Sequence, residues 1–267
     1  MQEYRKHSKG LKRARSIILN MTELNKKAFW ERVNYSTNLE FGKYVIEKIF
    51  TDEEILNKTV LDIGCGTGIY SLIFKQKGAR NTTGIDFSES SIKTAKNQLE
   101  KIGSEDVQFL NADIRNHNFS TESFDIIWCH GVIYYMPNSY ETMRKLCGLV
   151  SQNGVIFISL MKNTNYSKII NSIRKILYRI PKNLWGITSL LISSVFFFIL
   201  SVFNKKVKFS RIRTKVLAQY FPIIDHFDIK EAETFFRKSG FKTEKIVHSL
   251  DVFSYTTQFG LKLKKQA

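Results

Sequence analysis

The sequence predicts an α/β fold, an open sheet whose strands alternate with helices. Three observations carry that reading. An apolar strand runs straight into a glycine-rich turn and a helical pattern at Val60-Leu61-Asp62-Ile63-Gly64-Cys65-Gly66-Thr67-Gly68. A second strand ends in an acid, Asp86, roughly twenty residues past that turn. Two further strands then end in polar groups, so three strand ends deliver such groups toward the one edge where open α/β sheets bind ligands.

The elements follow in order. Val60 to Ile63 is the first strand, and Ile69 to Lys77 reads as the helix after the turn. The glycines fall as Gly64, Gly66 and Gly68, a GxGxG spacing. A dinucleotide fingerprint requires glycine at position 69, which is Ile69, and no Gly-Lys-Ser/Thr of a P-loop follows. Asp62, just before the turn, would repel a pyrophosphate and suits a ligand with a cationic end. Thr82 to Ile85 reads as the second strand, with Ser88 as N-cap of a helix through Ser91, Lys93 and Lys96. Val107 to Leu110 runs into Asn111-Ala112-Asp113-Ile114, and Phe124 to Cys129 into His130-Gly131-Val132-Ile133-Tyr134-Tyr135. Asp228 to Gly240 reads as an amphipathic helix, with strands at Phe241 to Val247 and Val252 to Leu261. Cys65, Cys129 and Cys147 read as small buried thiols, and no pair has metal-ligand or redox spacing, so no metal is expected.

The segments LDIGCGTG, GIDFSESSIKTAK, NADI, FDIIWCHGVIYYMPN and LVSQNGVIFISL together resemble the class I S-adenosylmethionine-dependent methyltransferases over about residues 40–160. The resemblance implies a Rossmann-like seven-stranded methyltransferase sheet with an antiparallel last strand, plus a helical insertion. It implies S-adenosylmethionine as cofactor, held by Asp62, Gly64, Cys65, Gly66, Gly68, Asp86, Phe87, Asp113, Ile114, Cys129 and His130. In that scheme the glycines admit the backbone to the cofactor and Asp62 lies near its amino-acid end. Asp86 binds the ribose hydroxyls, Phe87 covers the adenine, and Asp113 accepts from the adenine amino group with Ile114 alongside. Cys129 and His130 sit near the sulfonium, and Tyr134 and Tyr135 line the acceptor pocket. The layout expected is a basic extension (1–40), a cofactor-binding core (41–160), a basic apolar helical insertion (161–220), and a segment completing the sheet (221–267).

The net charge is +17 and unevenly spread. From Met161 to Leu217 there are many lysines and arginines but no Asp or Glu. Lys168, Arg174, Lys175, Arg179 and Lys182 precede an uncharged apolar run, Leu184 to Phe203, and Lys205, Lys206, Lys208, Arg211, Arg213 and Lys215 follow it. Hydropathy alone reads that run as a membrane span. Sheet completion downstream argues against a simple span, since threading a sheet through a bilayer leaves backbone groups unpaired. As a helix, the run gathers Gly186, Ser189, Ser193, Ser194 and Ser201 on one arc and Leu191, Val195, Phe198, Ile199 and Val202 on the other. Such a helix suits docking on the domain while touching an anionic membrane surface, with residues 168–215 as the contact; the alternative is a lid packed wholly on the protein.

A methyl acceptor in this scheme is a small molecule or a lipid-linked one, whose oxygen attacks the methyl carbon of the sulfonium as S-adenosylhomocysteine leaves. A hydroxyl nucleophile requires a proton acceptor, and His130 and His226 are the candidates. The basic composition raises a second class, an RNA methyltransferase. Trp128-Cys129-His130-Gly131 lacks the Asn/Asp-Pro-Pro-aromatic pattern of base-amino methyltransferases, and no alternating basic–aromatic platform appears. Three cysteines and no apolar leader near Arg5, Lys6, Lys9, Lys12, Arg13 and Arg15 place the protein in the cytoplasm, at the inner face of the membrane.

Overall fold

The computed structural model describes residues 39–177, 179–202, 209, 212, 216, 224–248 and 258–266. The basic N-terminal residues, Lys205, Lys206, Lys208, Arg211, Arg213, Lys215, Phe221 to Ile223 and Val252 to Thr257 lie outside that set. Helices α1 (Leu39–Glu47) and α2 (Asp52–Ile55) lead into β1 (Thr59–Ile63) and α3 (Ile69–Gln76). The order continues with β2 (Asn81–Asp86), α4 (Glu89–Ile102), β3 (Val107–Asn111), β4 (Phe124–Cys129), α5 (Ser139–Leu149) and β5 (Val150–Met161). Then come α6 (Asn165–Leu177), α7 (Trp185–Val202), α8 (Ile229–Lys238), β6 (Phe241–His248) and β7 (Gln258–Lys265).

The seven strands form one sheet in the order β3-β2-β1-β4-β5-β7-β6. The pairs from β3 to β5 are parallel, while β7 runs antiparallel to both β5 and β6. The chain therefore reverses its direction of travel between β1 and β4, and an open α/β sheet opens its ligand crevice at such a switch point. Both faces are covered. One face packs Trp128 against Phe157 at 4.5 Å, Tyr70 at 5.1 Å and Phe74 at 5.5 Å. The other face buries Leu61, Ile127, Ile156 and Phe236 in a second cluster.

Local chemistry sets the element ends. Thr51 and Glu54 form a reciprocal capping box at α2. Ser88 caps α4 by accepting from the Ser91 N–H, and Gly103, in the left-handed region, ends it. Asp228 caps α8 through the N–H groups of Lys230 and Glu231.

One strand departs from the reading made from sequence. Where Val252 to Leu261 was expected, β7 spans Gln258–Lys265 among the described residues and so continues four residues past the expected end, through Lys262, Lys264 and Lys265. Lys262 is buried in this strand, pairs with Glu54 and lies 3.8 Å from Glu244, with its ammonium 4.8 Å from the Phe50 ring. Those partners compensate a cation that a pattern of hydropathy excludes from a sheet interior.

The insertion consists of α6, a 3-10 turn at Lys182–Leu184, and α7. Helix α7 has 18 residues, a length of about 27 Å against a hydrocarbon layer of about 30 Å. Among the described residues no helix is long and apolar enough to cross a membrane. Of the small-residue arc, Ser189 and Ser193 are buried, while Gly186, Ser194 and Ser201 are exposed. The serine hydroxyls return to backbone carbonyls one turn earlier, Ser189 to Gly186 and Ser193 to Ser189, so their burial leaves no donor unpaired. Ile192 and Trp185 join Leu177, Ile180, Ile212 and Val216 in a small cluster beneath. Of the cations that precede α7 in sequence, Arg174 is buried, at 4% exposed.

Candidate active site

The glycine turn is held by β2 and compressed by its neighbours. The Gly64 and Cys65 N–H groups both donate to the Ile85 carbonyl, at 2.7 and 3.1 Å. Gly64 has φ of +64° and Gly68 +83°, a region costly for other residues. A Cβ at Gly64 would stand 2.4 Å from Val132 Cγ2, and one at Gly68 2.5 Å from Phe109 Cζ. Both glycines are therefore needed by the chain's own packing, in addition to any ligand.

Two acids converge on this turn. Asp62 is buried at the end of β1 and accepts from Ser71 Oγ at 2.7 Å. Burial pushes its carboxyl up to about 7, the Asp86 charge adds to the rise, and the Ser71 bond opposes it. Asp86 accepts from the Gly66 N–H through Oδ2 and from the Ser88 N–H through Oδ1, each at 2.9 Å. One carboxylate thus ties the turn after β1 to the helix start after β2. Phe87, half-buried, follows it directly.

The third acid has a more committed partner. Both oxygens of Asp113 are engaged by the Arg115 guanidinium, with Nε 3.0 Å from each, and Oδ1 also accepts the Arg115 N–H at 2.9 Å. Each oxygen thus accepts two hydrogen bonds from Arg115, so an adenine amino group would have to compete with the guanidinium. Ile114 is buried beside it.

The thiols at the end of β4 and in the glycine turn are both held in the protonated form by burial. Cys129 is fully buried and burial holds its thiol up at about 12, while burial raises Cys65 well above the ordinary thiol range. His130 sits in an aromatic stack, 5.2 Å from Tyr70, 5.7 Å from Trp128 and 6.5 Å from Phe157. Burial there lowers its imidazole to about 4, so the ring is neutral at physiological pH and a weak base. Gly131 donates its N–H to Ser159 Oγ at 2.7 Å, locking the β4 exit to β5.

A second group joins the middle of the chain to its C-terminal part. Tyr134 is buried, with its hydroxyl accepting from Gln258 Nε2 at 2.6 Å and its ring 4.7 Å from Tyr135. Its carbonyl accepts the Asp225 N–H at 2.9 Å, and the Asp225 carboxylate accepts from Ser139 Oγ at 2.6 Å. Phe227 then hydrogen-bonds along the end of β5 through the Met161 carbonyl and the Asn163 N–H. His226 is carried between these anchors at the carboxyl edge, with Nδ1 3.1 Å from Asn171 Nδ2 on α6. Burial first, and the Arg174 charge second, lower its imidazole below the ordinary value.

Asp62, Asp86 and the three glycines are thus brought together, with Phe87 adjoining. Tyr134, Tyr135 and His226 form a second group through Asp225. Ser71, Ser159, Asn171 and Gln258 escaped the sequence reading. Gln258 carried no local signal, since its partner Tyr134 lies 124 residues away.

This sheet order and this turn define a class I methyltransferase fold. Residues 56–185 match the family model described as "Methyltransferase domain". The ubiquinone biosynthesis O-methyltransferase of Coxiella burnetii is 30% identical over 131 residues, covering 49% of this chain and 53% of that one. The Neisseria meningitidis serogroup C protein of the same name is 26% identical over 158 residues, 58% of this chain and 66% of that one. The chain thus matches about half to two thirds of the length of these relatives. Among solved structures, magnesium protoporphyrin IX methyltransferase from Synechocystis PCC 6803 with bound SAH aligns over 94% of this chain and 100% of its own, with TM-score 0.59 and 14% identity. A putative S-adenosylmethionine-dependent methyltransferase from Listeria monocytogenes gives TM-score 0.57 at 15% identity, over 86% of this chain and 100% of its own.

Proposed function

We propose that the protein transfers a methyl group from S-adenosylmethionine to a hydroxyl of a small, lipid-soluble or lipid-linked acceptor. The observation that carries the reading is the buried carboxylate of Asp62 beside Asp86 at a glycine turn. A buried acid raised to about 7 by burial and a second negative charge gains most from a ligand that brings an ammonium to it. Asp62 would hold that cationic end, Gly64, Gly66 and Gly68 its chain, and Asp86 and Phe87 the ribose and adenine. Ile114, and Asp113 if the ligand displaces part of the Arg115 fork, would complete the adenine side.

S-adenosylmethionine, when bound, supplies a methyl group already activated on a sulfonium. What remains for the protein is alignment, exclusion of water and removal of one proton. His226 is better placed than His130 to accept that proton, because it is half-buried at the edge and lies outside the aromatic stack. With the Asn171 amide turned so that its oxygen accepts from Nδ1–H, His226 Nε2 is the basic atom and takes the hydroxyl proton. The O-methyltransferase relatives support oxygen as the nucleophile.

Calorimetric titration with S-adenosylmethionine, paired with turnover of a catechol-type acceptor panel, tests both parts. Asp86→Ala is expected to lose affinity about 30-fold or more, since it removes a charged acceptor that also shapes the turn. His226→Ala is expected to keep affinity and lose about 100-fold in kcat. A folded wild type that binds no S-adenosylmethionine overturns the proposal, and unchanged turnover in His226→Ala removes the base assignment.

A further inference from the structure

Helices α6 and α7 are amphipathic in the inverted sense. On α7, Ile187, Leu191, Val195, Phe198 and Val202 follow one another at steps of three or four residues and are each 59–71% exposed. That spacing places them on one face. The opposite face buries Ser189 and Ser193. Helix α6 repeats the pattern, with Ile169, Ile173 and Ile176 exposed at i, i+4, i+7 while Ser167 and Arg174 are buried. A contiguous apolar stripe turned outward, with polar groups turned inward, requires an apolar neighbour.

The charge around the stripes identifies the neighbour. Lys168, Lys175 and Arg179 are exposed next to the isoleucines, and no Asp or Glu occurs anywhere from Met161 to Ile224. A second copy of this chain would bring the same cations against themselves. A polynucleotide would satisfy the cations and leave the stripes in water. An anionic bilayer satisfies both, taking the apolar side chains into the acyl boundary while lysine and arginine reach the headgroups.

We propose that α6 and α7 form a docking element for an anionic membrane surface, which brings the carboxyl edge of the sheet to the interface and the acceptor to it from the bilayer. The second clause rests on the methyltransferase reading; the docking itself does not. The link to the site is physical, because α6 leaves the end of β5 directly and its Asn171 holds His226.

Sedimentation of the full chain with phosphatidylcholine vesicles, and with vesicles containing 30% phosphatidylglycerol, tests the docking. The wild type is expected to bind the anionic vesicles at least about tenfold more tightly than the neutral ones, with the difference shrinking as salt rises. The double variant Val195→Glu/Phe198→Glu is expected to bind them at least about tenfold more weakly than wild type, with unchanged calorimetric binding of S-adenosylmethionine and an unchanged thermal transition. Lys168→Glu/Lys175→Glu should remove the preference for anionic vesicles. Wild type remaining in the supernatant, or the Val195/Phe198 variant sedimenting like wild type, overturns the proposal. A wild-type dimer in lipid-free solution that the same variant dissociates, without vesicle binding, also overturns it and assigns the face to a second copy. Vesicle binding in a protein that fails to bind S-adenosylmethionine leaves the docking standing and sinks the methyltransferase reading instead.

Discussion

Strands β4 and β5 and helix α7 are alike in composition, each an apolar run rich in aromatic and branched side chains, and they meet opposite surroundings. Trp128 and Phe157 are wholly buried between the sheet and α3, whereas Phe198 is 71% exposed. In β5 the buried Ser159 hydroxyl is tied across the fold to Gly131. In α7 the buried hydroxyls of Ser189 and Ser193 are tied to the helix's own previous turn. The difference teaches that an apolar run states a need for burial, and that neighbours decide whether the protein meets it. The sheet meets it for β4; for α7 the fold supplies cover to one face only.

That contrast can be attacked in order of effect. Trp128→Ala is expected to cost about 3–5 kcal/mol of stability, read as a lower midpoint in urea, because the ring packs against five other aromatic groups, Phe50, Tyr70, Phe74, His130 and Phe157. Gly64→Ala should cost about 2–3 kcal/mol through its positive φ and the Val132 collision. Adding Val132→Ala should recover the steric share and leave the backbone share, so the double variant separates the two. A smaller effect comes from pH. The ordinary carboxylate value of Asp62 is 3.8 and the folded one about 7. The folded state therefore holds this proton more tightly, and the group's contribution to stability is largest at acid pH and falls as pH rises toward 7. Ligand binding runs the other way. An ammonium needs the ionised acid, so affinity for S-adenosylmethionine should be about tenfold weaker at pH 6 than at pH 8, as titration at the two values would show. The smallest effect is Phe198→Ala, expected to change the urea midpoint by no more than about 0.5 kcal/mol in the absence of lipid. A loss comparable to that at Trp128 would mean that α7 is covered by protein after all and would dissolve the contrast.

The parts legible in the sequence are those where one residue type answers one local demand. Gly64 and Gly68 satisfy a left-handed turn under contact, Ser88 and Asp228 cap helices, and Asp62 and Asp86 stand at strand ends, all visible as short-range patterns. The sheet order followed from a resemblance to a family and not from spacing. What escaped is long-range. Gln258 reaches Tyr134 across more than a hundred residues, and Lys262 is made acceptable by Glu54 from the far end of the chain. His130 read as an ordinary imidazole because nothing in Trp128-Cys129-His130 announces that Tyr70 and Phe157 close over it. Half of the α7 projection was readable and half was not, since a helical wheel sorts residues by angle without saying how wide a strip the rest of the protein covers.

Strand β7 lies between β5 and β6, pairing with both. It leaves the ribosome after the six strands whose sheet it completes, and until it arrives β5 presents an open edge of unpaired backbone groups to the cell. The inverted helices α6 and α7 emerge during that same interval, directly after β5. The nascent chain thus carries a bare strand edge and an outward apolar helix together. Anything that shelters the helix early, a bilayer among them, also shortens the time during which that edge is left to find a partner in another chain.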